Sequence, residues 1–212
     1  MKAPFPGGVY AITPAETDTD RLLERVEAAL AGGISALQYR EKTGDVALRH
    51  GQASELLALC RRHGVPLIVN DDVRLADLVG AAGVHLGAGD ARLAEARILL
   101  GPDKYVGISC YQSLPLAREA EAGGADYVAF GSFYPSPSKP QAPLAPLELL
   151  RAARQALHVP IVAIGGIMAE NAAVLLENGA DALAVISAIF DNPDARAAAR
   201  QLNALFAWES EE

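Results

Sequence analysis

Eight short apolar, β-branched runs recur along the chain, each followed by a segment of helical periodicity, and no other feature constrains the fold as tightly. The runs cover residues 8–13, 36–41, 66–70, 83–87, 105–110, 127–131, 160–165 and 182–189. Over 212 residues they recur at intervals of about 26, the size of a compact strand-plus-helix unit. Most are nearly continuous apolar stretches rather than alternating ones, which predicts parallel strands buried on both faces under helices. Eight such units predict an α/β fold, a single closed (β/α)8 TIM barrel over residues 1–212 with no linker and no second domain. A doubly wound open sheet is the alternative. It would use fewer strands and place a phosphate loop after the first, yet neither GxGxxG nor a Walker A sequence follows residues 8–13.

The intervening helices carry their own punctuation. Asp20 is expected to cap a helix with Leu22, Leu23, Val26 and Leu30 on one face, closed by Gly32 and Gly33. Asp45 opens a second, whose stripe of Ala53, Leu56, Leu57 and Cys60 ends at Gly64. Ser113 opens another that stops at Gly123 and Gly124, and Asn192-Pro193 is expected to begin the last. A weak repeat also shows: Gly124-Ala125-Asp126 and Gly179-Ala180-Asp181 each sit between a helix and the next strand, about 55 residues apart.

Charge and composition exclude several classes. With 18 Lys and Arg against 26 Asp and Glu, the net charge of −8 suits neither a nucleic-acid coat nor an anionic membrane. No apolar run reaches the roughly 20 residues that span a bilayer. Residues Met1-Lys2-Ala3-Pro4-Phe5-Pro6 lack the apolar core of a secretory signal. Two cysteines, Cys60 and Cys110, are too few for a disulfide framework or a zinc cluster. A soluble cytoplasmic protein with no nucleic-acid or membrane partner is expected, and homo-oligomerisation is left open. Residues 209–212 are expected to be solvated charge.

In a parallel barrel, functional groups gather at the carboxyl ends of the strands. Here those ends carry Gln38-Tyr39-Arg40-Glu41-Lys42, Asn70-Asp71-Asp72, Gly87-Ala88-Gly89-Asp90, Ser109-Cys110, the stretch from Gly131 to Pro140, Gly165-Gly166 and Ser187. Of only four lysines, Lys42 and Lys139 fall on this face, and a local cationic cluster in an acidic protein points to an anionic ligand. Asp71 and Asp90 would repel bound phosphates unless a hard cation lay between them. Mg²⁺ takes one or two carboxylates together with phosphate oxygens and water. The face therefore reads as a Mg²⁺ and polyphosphate site, with a second anion pocket at Gly166 and Ser187. Glycine at 166 is expected to leave room for phosphate oxygens against the backbone.

Singly, these residues have plainer explanations. Asp71 or Asp72 could cap the next helix, Lys42 and Lys139 could be solvated charges, and Gly165-Gly166 could be a tight turn. Polar side chains at six of the eight strand ends, all of those named except the glycine pair, favour a site. His50, His63, His85 and His158 show no ligand spacing, and His85 reads as a hydrogen-bonded core residue within the fourth run. Cys60 reads as core, and Cys110 has no evident activating histidine. Without a protein nucleophile, the substrates must supply the reacting atoms.

Six pieces, in order and at the expected strand ends, resemble the thiamine-phosphate synthase family. They are Gln38-Tyr39-Arg40-Glu41-Lys42, Asn70-Asp71-Asp72, Val84-His85-Leu86-Gly87 with Asp90, Gly107-Ile108-Ser109, Ser136-Pro137-Ser138-Lys139 and Ala163-Ile164-Gly165-Gly166-Ile167. The similarity runs from Tyr10-Ala11-Ile12-Thr13 to Ala184-Val185-Ile186-Ser187-Ala188-Ile189. It implies a (β/α)8 barrel that joins an aminopyrimidine-methyl diphosphate to a thiazole phosphate by a dissociative route, giving thiamine phosphate and pyrophosphate. The same resemblance implies that Gln38, Arg40, Lys42, Asn70, Ser109 and Lys139 hold the pyrimidine diphosphate, with Arg40, Ser109 and Lys139 catalytic. It assigns Mg²⁺ to Asp71 and Asp90, and the thiazole phosphate to Ser136, Ser138, Gly166, Ile186 and Ser187. The loop over 132–146 would keep water from the pyrimidine cation. The sequence departs from the family where Ser136 and Ser138 replace threonines, Ala88 replaces a frequent glutamine and Pro14 replaces a common aspartate.

Two other functions compete. A thiazole tautomerase on the same barrel would be expected to carry an acid/base histidine after the sixth strand, where this chain has Ser132. A non-catalytic binder of thiamine phosphates would not need Asp71, Asp90 and Lys139 together.

Overall fold

The computed structural model describes residues 2–87, 93–136 and 143–206, and its eight strands close into one parallel barrel in sequential order. The elements are β1 (Gly8–Ile12), α1 (Thr19–Ala31), β2 (Ala36–Tyr39), α2 (Val46–His63), β3 (Leu67–Asn70), α3 (Val73–Val79), β4 (Gly83–Leu86), α4 (Leu93–Leu100), β5 (Tyr105–Tyr111), α5 (Leu114–Ala122), β6 (Tyr127–Gly131), α6 (Glu148–Ala156), β7 (Ile161–Ile164), α7 (Ala169–Glu177), β8 (Ala182–Val185), α8 (Ser187–Phe190) and α9 (Ala195–Asn203). The barrel shuts where β8 pairs with β1, Val9 standing opposite Leu183. The expected (β/α)8 architecture is the one observed.

Capping shows where local chemistry was sufficient. Asp45 accepts from Leu48 N at 2.9 Å to start α2, which ends on left-handed Gly64, and Ser113 accepts from Leu116 N at 3.2 Å to start α5. Two starts differ from expectation. Asp18, not Asp20, caps α1 by accepting from Arg21 N at 3.2 Å, because Asp18 holds the extended conformation a cap needs while Asp20 is already in the first turn. Likewise Asp194 caps α9 through Ala197 N at 2.9 Å, and Asn192 instead accepts from Asp194 N in the preceding turn.

The eighth run also ends earlier than expected. Pairing with β7 stops at Ile164 opposite Ala184, so a longer strand would leave its backbone unpaired on that side. At Ile186 the chain leaves the extended conformation, and Phe190 N donates to Ile186 O at 2.9 Å to begin the short α8. Runs 36–41 and 160–165 likewise stop as strand at Tyr39 and Ile164.

Strand alternation builds two separate cores. Val9, Leu37, Val69, Val84, Val106, Val128 and Leu183 face outward and pack with Leu22, Leu56, Leu150 and Leu175 of the helices. Cys60 and Cys110 belong to this outer layer, where burial pushes each thiol up to about 12. Inside the barrel, Tyr10, Ile12, Ala36, Ile68, Tyr127, Ala129, Val162, Ala182 and Ala184 form the second cluster with Phe5. Phe5 lies just before β1, and its ring stacks 3.9 Å from that of Tyr127.

The Gly-Ala-Asp repeat does the same work in both copies, at the amino ends of the strands. Asp126 accepts from Val106 N at 2.7 Å, donates its own N–H to Val106 O at 2.8 Å and pairs with Arg97 at 2.8 Å. Asp181 repeats this with Ile161 N at 2.7 Å, Ile161 O at 2.8 Å and Arg154 at 2.8 Å. Each aspartate stitches a strand start to its neighbour and to a helix of the outer layer.

Candidate active site

At the carboxyl ends of the strands lies a cavity of about 590 Å³, within the usual range for a small-molecule site. Its walls include Gln38, Arg40, Lys42, Asn70, Asp71, Ser109, Ser136, Gly166, Ile186 and Ser187, so every expected site residue among the described residues is brought together. Asp90, Ser138 and Lys139 lie outside the described residues, as do residues 209–212.

One lobe of the cavity is charged. Adjacent aspartates divide two jobs that sequence alone could not separate. Asp72 caps α3, accepting from Leu75 N at 2.9 Å, and its other oxygen accepts from Arg49 Nη2 at 2.6 Å. Asp71 is no cap. Its backbone is left-handed, with φ at 64°, and its N–H donates to His85 O at 2.9 Å, tying the end of β3 to β4. Such a conformation is uncommon outside glycine, although aspartate tolerates it, and strain of this kind gathers at functional sites. The Asp71 carboxylate meets Lys42 Nζ at 3.4 Å. Arg40 is placed by buried Thr13, whose Oγ1 accepts from Arg40 N at 2.9 Å, and the guanidinium forms no ion pair among the described residues.

Beneath this lobe runs a buried chain of hydrogen bonds that the sequence did not reveal. Gln38 Nε2 donates to Tyr10 Oη at 2.8 Å, and Tyr10 Oη lies 2.9 Å from Tyr127 Oη. Tyr127 Oη is 3.1 Å from His85 Nδ1, and His85 Nε2 is 2.8 Å from Ser109 Oγ. Five strands thus contribute one side chain each. Burial holds both phenols well above their ordinary value, so each keeps its proton. His85 is the hydrogen-bonded buried residue expected, and it also lines the cavity. The available signal was Gly107: a Cβ there would stand 2.0 Å from Tyr127 Cζ, so glycine marks where that ring crosses the barrel.

The other lobe is built from backbone. Tyr134 N donates to Gly165 O at 3.0 Å, and Asn171 Nδ2 donates to Gly166 O at 3.0 Å, fixing the loop after β7. Gly166 has φ at 62°, and a Cβ on it would lie 2.3 Å from Pro135 O and 2.8 Å from Tyr134 C. The close approach of the loop after β6 therefore demands glycine here, a constraint the sequence reading did not include. Ser132 Oγ donates to Tyr134 O at 3.1 Å within the same loop.

The donor chemistry suits a hard cation. Asp71 supplies carboxylate oxygens beside the Asn70 amide at the cavity wall, while no group of three His, Cys, Asp or Glu converges among the described residues. A site of that kind fits Mg²⁺, which completes its shell with phosphate and water.

A closed (β/α)8 barrel with a polar cavity at the strand carboxyl ends defines the class: a TIM barrel whose cavity lies where barrel enzymes carry their sites. Residues 9–189 match the family model described as thiamine monophosphate synthase, and the chain belongs to that family. It is 68% identical over 208 residues to the thiamine-phosphate synthase of Thiobacillus denitrificans, covering 98% of this chain and 99% of the relative. It is 54% identical to the enzyme of the same name from Thioalkalivibrio sulfidiphilus, covering 94% and 95%. Among solved structures, the thiamine phosphate pyrophosphorylase of Pyrococcus furiosus superposes with a TM-score of 0.86 at 35% identity, covering 95% of this chain and 96% of that one.

Proposed function

We propose that this chain, acting as one catalytic unit, is a transferase of thiamine biosynthesis. It condenses an aminopyrimidine-methyl diphosphate with a thiazole phosphate to give thiamine phosphate and pyrophosphate. The observation that carries this is Asp71: held left-handed at the mouth, relieved of capping by Asp72, and facing Lys42 beside Arg40. Such a cluster is built to receive a diphosphate.

In the reaction, the bond between the pyrimidine methylene and the diphosphate oxygen breaks, and its electron pair leaves with pyrophosphate. The lone pair of the thiazole nitrogen then forms the new carbon–nitrogen bond, so no enzyme nucleophile is required. Arg40 and Lys42, joined by Lys139, meet the negative charge that grows on the leaving group, and that is where electrostatic assistance is largest. Gln38 and Ser109 orient the pyrimidine ring, and Asn70 holds its diphosphate. The thiazole phosphate lies over Gly166, Ile186 and Ser187, with Ser136 and Ser138 at its edge. Mg²⁺, held by Asp71 with Asp90, would neutralise diphosphate charge when bound. Ser132 is engaged with Tyr134 O, which disfavours an acid/base role there.

The test is direct. Purified protein mixed with both substrates and Mg²⁺ should release pyrophosphate and thiamine phosphate together. Excess chelator should abolish both. Unchanged turnover in chelator would remove the metal, and absence of product under any divalent metal would remove the synthase.

A further inference from the structure

The buried chain linking Gln38 to Ser109 can be oriented in two ways, and the Gln38 amide, with its nitrogen toward Tyr10, selects one. Gln38 Nε2 donates to Tyr10, and among the described residues Tyr10 Oη meets only Gln38 and Tyr127. The Tyr10 proton must therefore point at Tyr127, and the Tyr127 proton at His85 Nδ1. With Nδ1 accepting from Tyr127, the His85 ring carries a proton on Nε2 and gives it to Ser109 Oγ, 2.8 Å away. Reversing the direction would leave the Tyr10 proton buried without an acceptor unless the Gln38 amide also turned over.

We propose that Tyr127, with Tyr10 behind it, is a positioning residue that fixes the His85 tautomer, so that Ser109 turns its hydroxyl proton into the cavity while Gln38 presents its carbonyl. Tyr127 itself reaches no ligand. Its ring is held by the stack with Phe5 and by the space that Gly107 leaves, so its hydroxyl has one setting. Gln38 and Ser109 thereby become a matched pair, one acceptor and one donor, decided together from opposite ends of the same chain. An aminopyrimidine edge, with a ring-nitrogen acceptor beside an amine donor, complements that pair. The oxo analogue presents the reverse pattern of carbonyl acceptor and ring N–H donor. The chain therefore sets specificity for the amino form, an inference that rests on the pyrimidine occupying this lobe.

Two measurements on the full-length protein test this. The first needs no activity: ring ¹⁵N spectra, with the His85 signals identified by their loss in His85→Gln, should show the proton on Nε2. In Tyr127→Phe that preference should relax toward a mixture. In Tyr10→Phe it should persist, because Tyr127 still donates to His85. The second compares kcat/KM for the amino and oxo pyrimidine diphosphates. Tyr127→Phe should lower the discrimination roughly tenfold, about the effect of one misdirected hydrogen bond. The KM for thiazole phosphate should stay within about twofold. A His85 proton found on Nδ1 in the unaltered protein, or a tautomer indifferent to Tyr127→Phe, overturns the proposal. If the spectra behave as expected but no thiamine phosphate forms, the proposed function fails while the directed chain stands.

Discussion

The two rims of this barrel carry the same residue types and use them oppositely. At the amino rim, Asp126 is closed by Arg97 and by Lys2, each at 2.8 Å, and Asp181 by Arg154, while both carboxylates also accept a strand N–H. At the carboxyl rim, Arg40 forms no ion pair among the described residues, and Lys42 reaches Asp71 only at 3.4 Å from a largely exposed position. Charge at the first rim is used up within the fold. At the second rim Asp72 is closed in the same way by Arg49, whereas Asp71, Lys42 and Arg40 are paired loosely or not at all among the described residues. The difference teaches that a carboxylate's role is read from what its oxygens already satisfy, since residue type and position near a strand end do not distinguish Asp71 from Asp126.

The largest effect expected from breaking this contrast is at Asp71. Asp71→Asn keeps a side chain that tolerates the left-handed backbone but removes the charge. It should lower kcat/KM on the order of a hundredfold, partly restored by raised Mg²⁺, with Tm nearly unchanged. A large fall in Tm with ordinary kinetics would show that Asp71 belongs with the structural aspartates. Next comes Asp126→Ala, which leaves Val106 N without its acceptor and takes the carboxylate from Arg97 and Lys2. It should cost about 2 kcal/mol of stability, lowering Tm by roughly 4–8 °C, while KM for both substrates holds. Calorimetry beside steady-state assays separates the outcomes, and a kinetic defect without destabilisation would break the division between rims.

A smaller change is expected within the carboxyl rim. Gly166→Ala places a Cβ against Pro135 O in a left-handed position, so the loop carrying Ser136 must shift. The KM for thiazole phosphate should rise roughly tenfold, with affinity for the pyrimidine diphosphate nearly intact. The opposite pattern would exchange the two lobes. The smallest effect belongs to Asp72→Ala, one residue from Asp71. Loss of the α3 cap should cost about 1 kcal/mol in denaturant titration and leave kcat within about threefold. Activity lost at Asp72 as severely as at Asp71 would refute the separation of their jobs.

Much of this was legible in the chain. Eight apolar runs with helical segments between them gave eight strands in order, and the expected site residues among the described ones line one cavity. Legibility failed where several equivalent residues compete within a few positions. Asp18 and Asp20 are both acceptable caps, as are Asn192 and Asp194, and only the observed backbone conformation chooses. It failed again inside the barrel. Continuous apolar runs correctly announced burial on both faces, but they concealed that one alternating phase carries Tyr10, Gln38, His85, Ser109 and Tyr127.

Local chemistry written along the chain was enough to set the strand and helix units, their parallel order and the rim where polar groups collect. Each depends on the periodicity of burial or on caps and turns spanning a few residues. Which aspartate caps and which faces the cavity, why Gly107 and Gly166 must lack side chains, and how Gln38 is joined to Ser109 were settled only by closure of the barrel. Those contacts unite residues up to 117 positions apart, as at Tyr10 and Tyr127. Their geometry follows from strand stagger and ring closure, which no local pattern encodes.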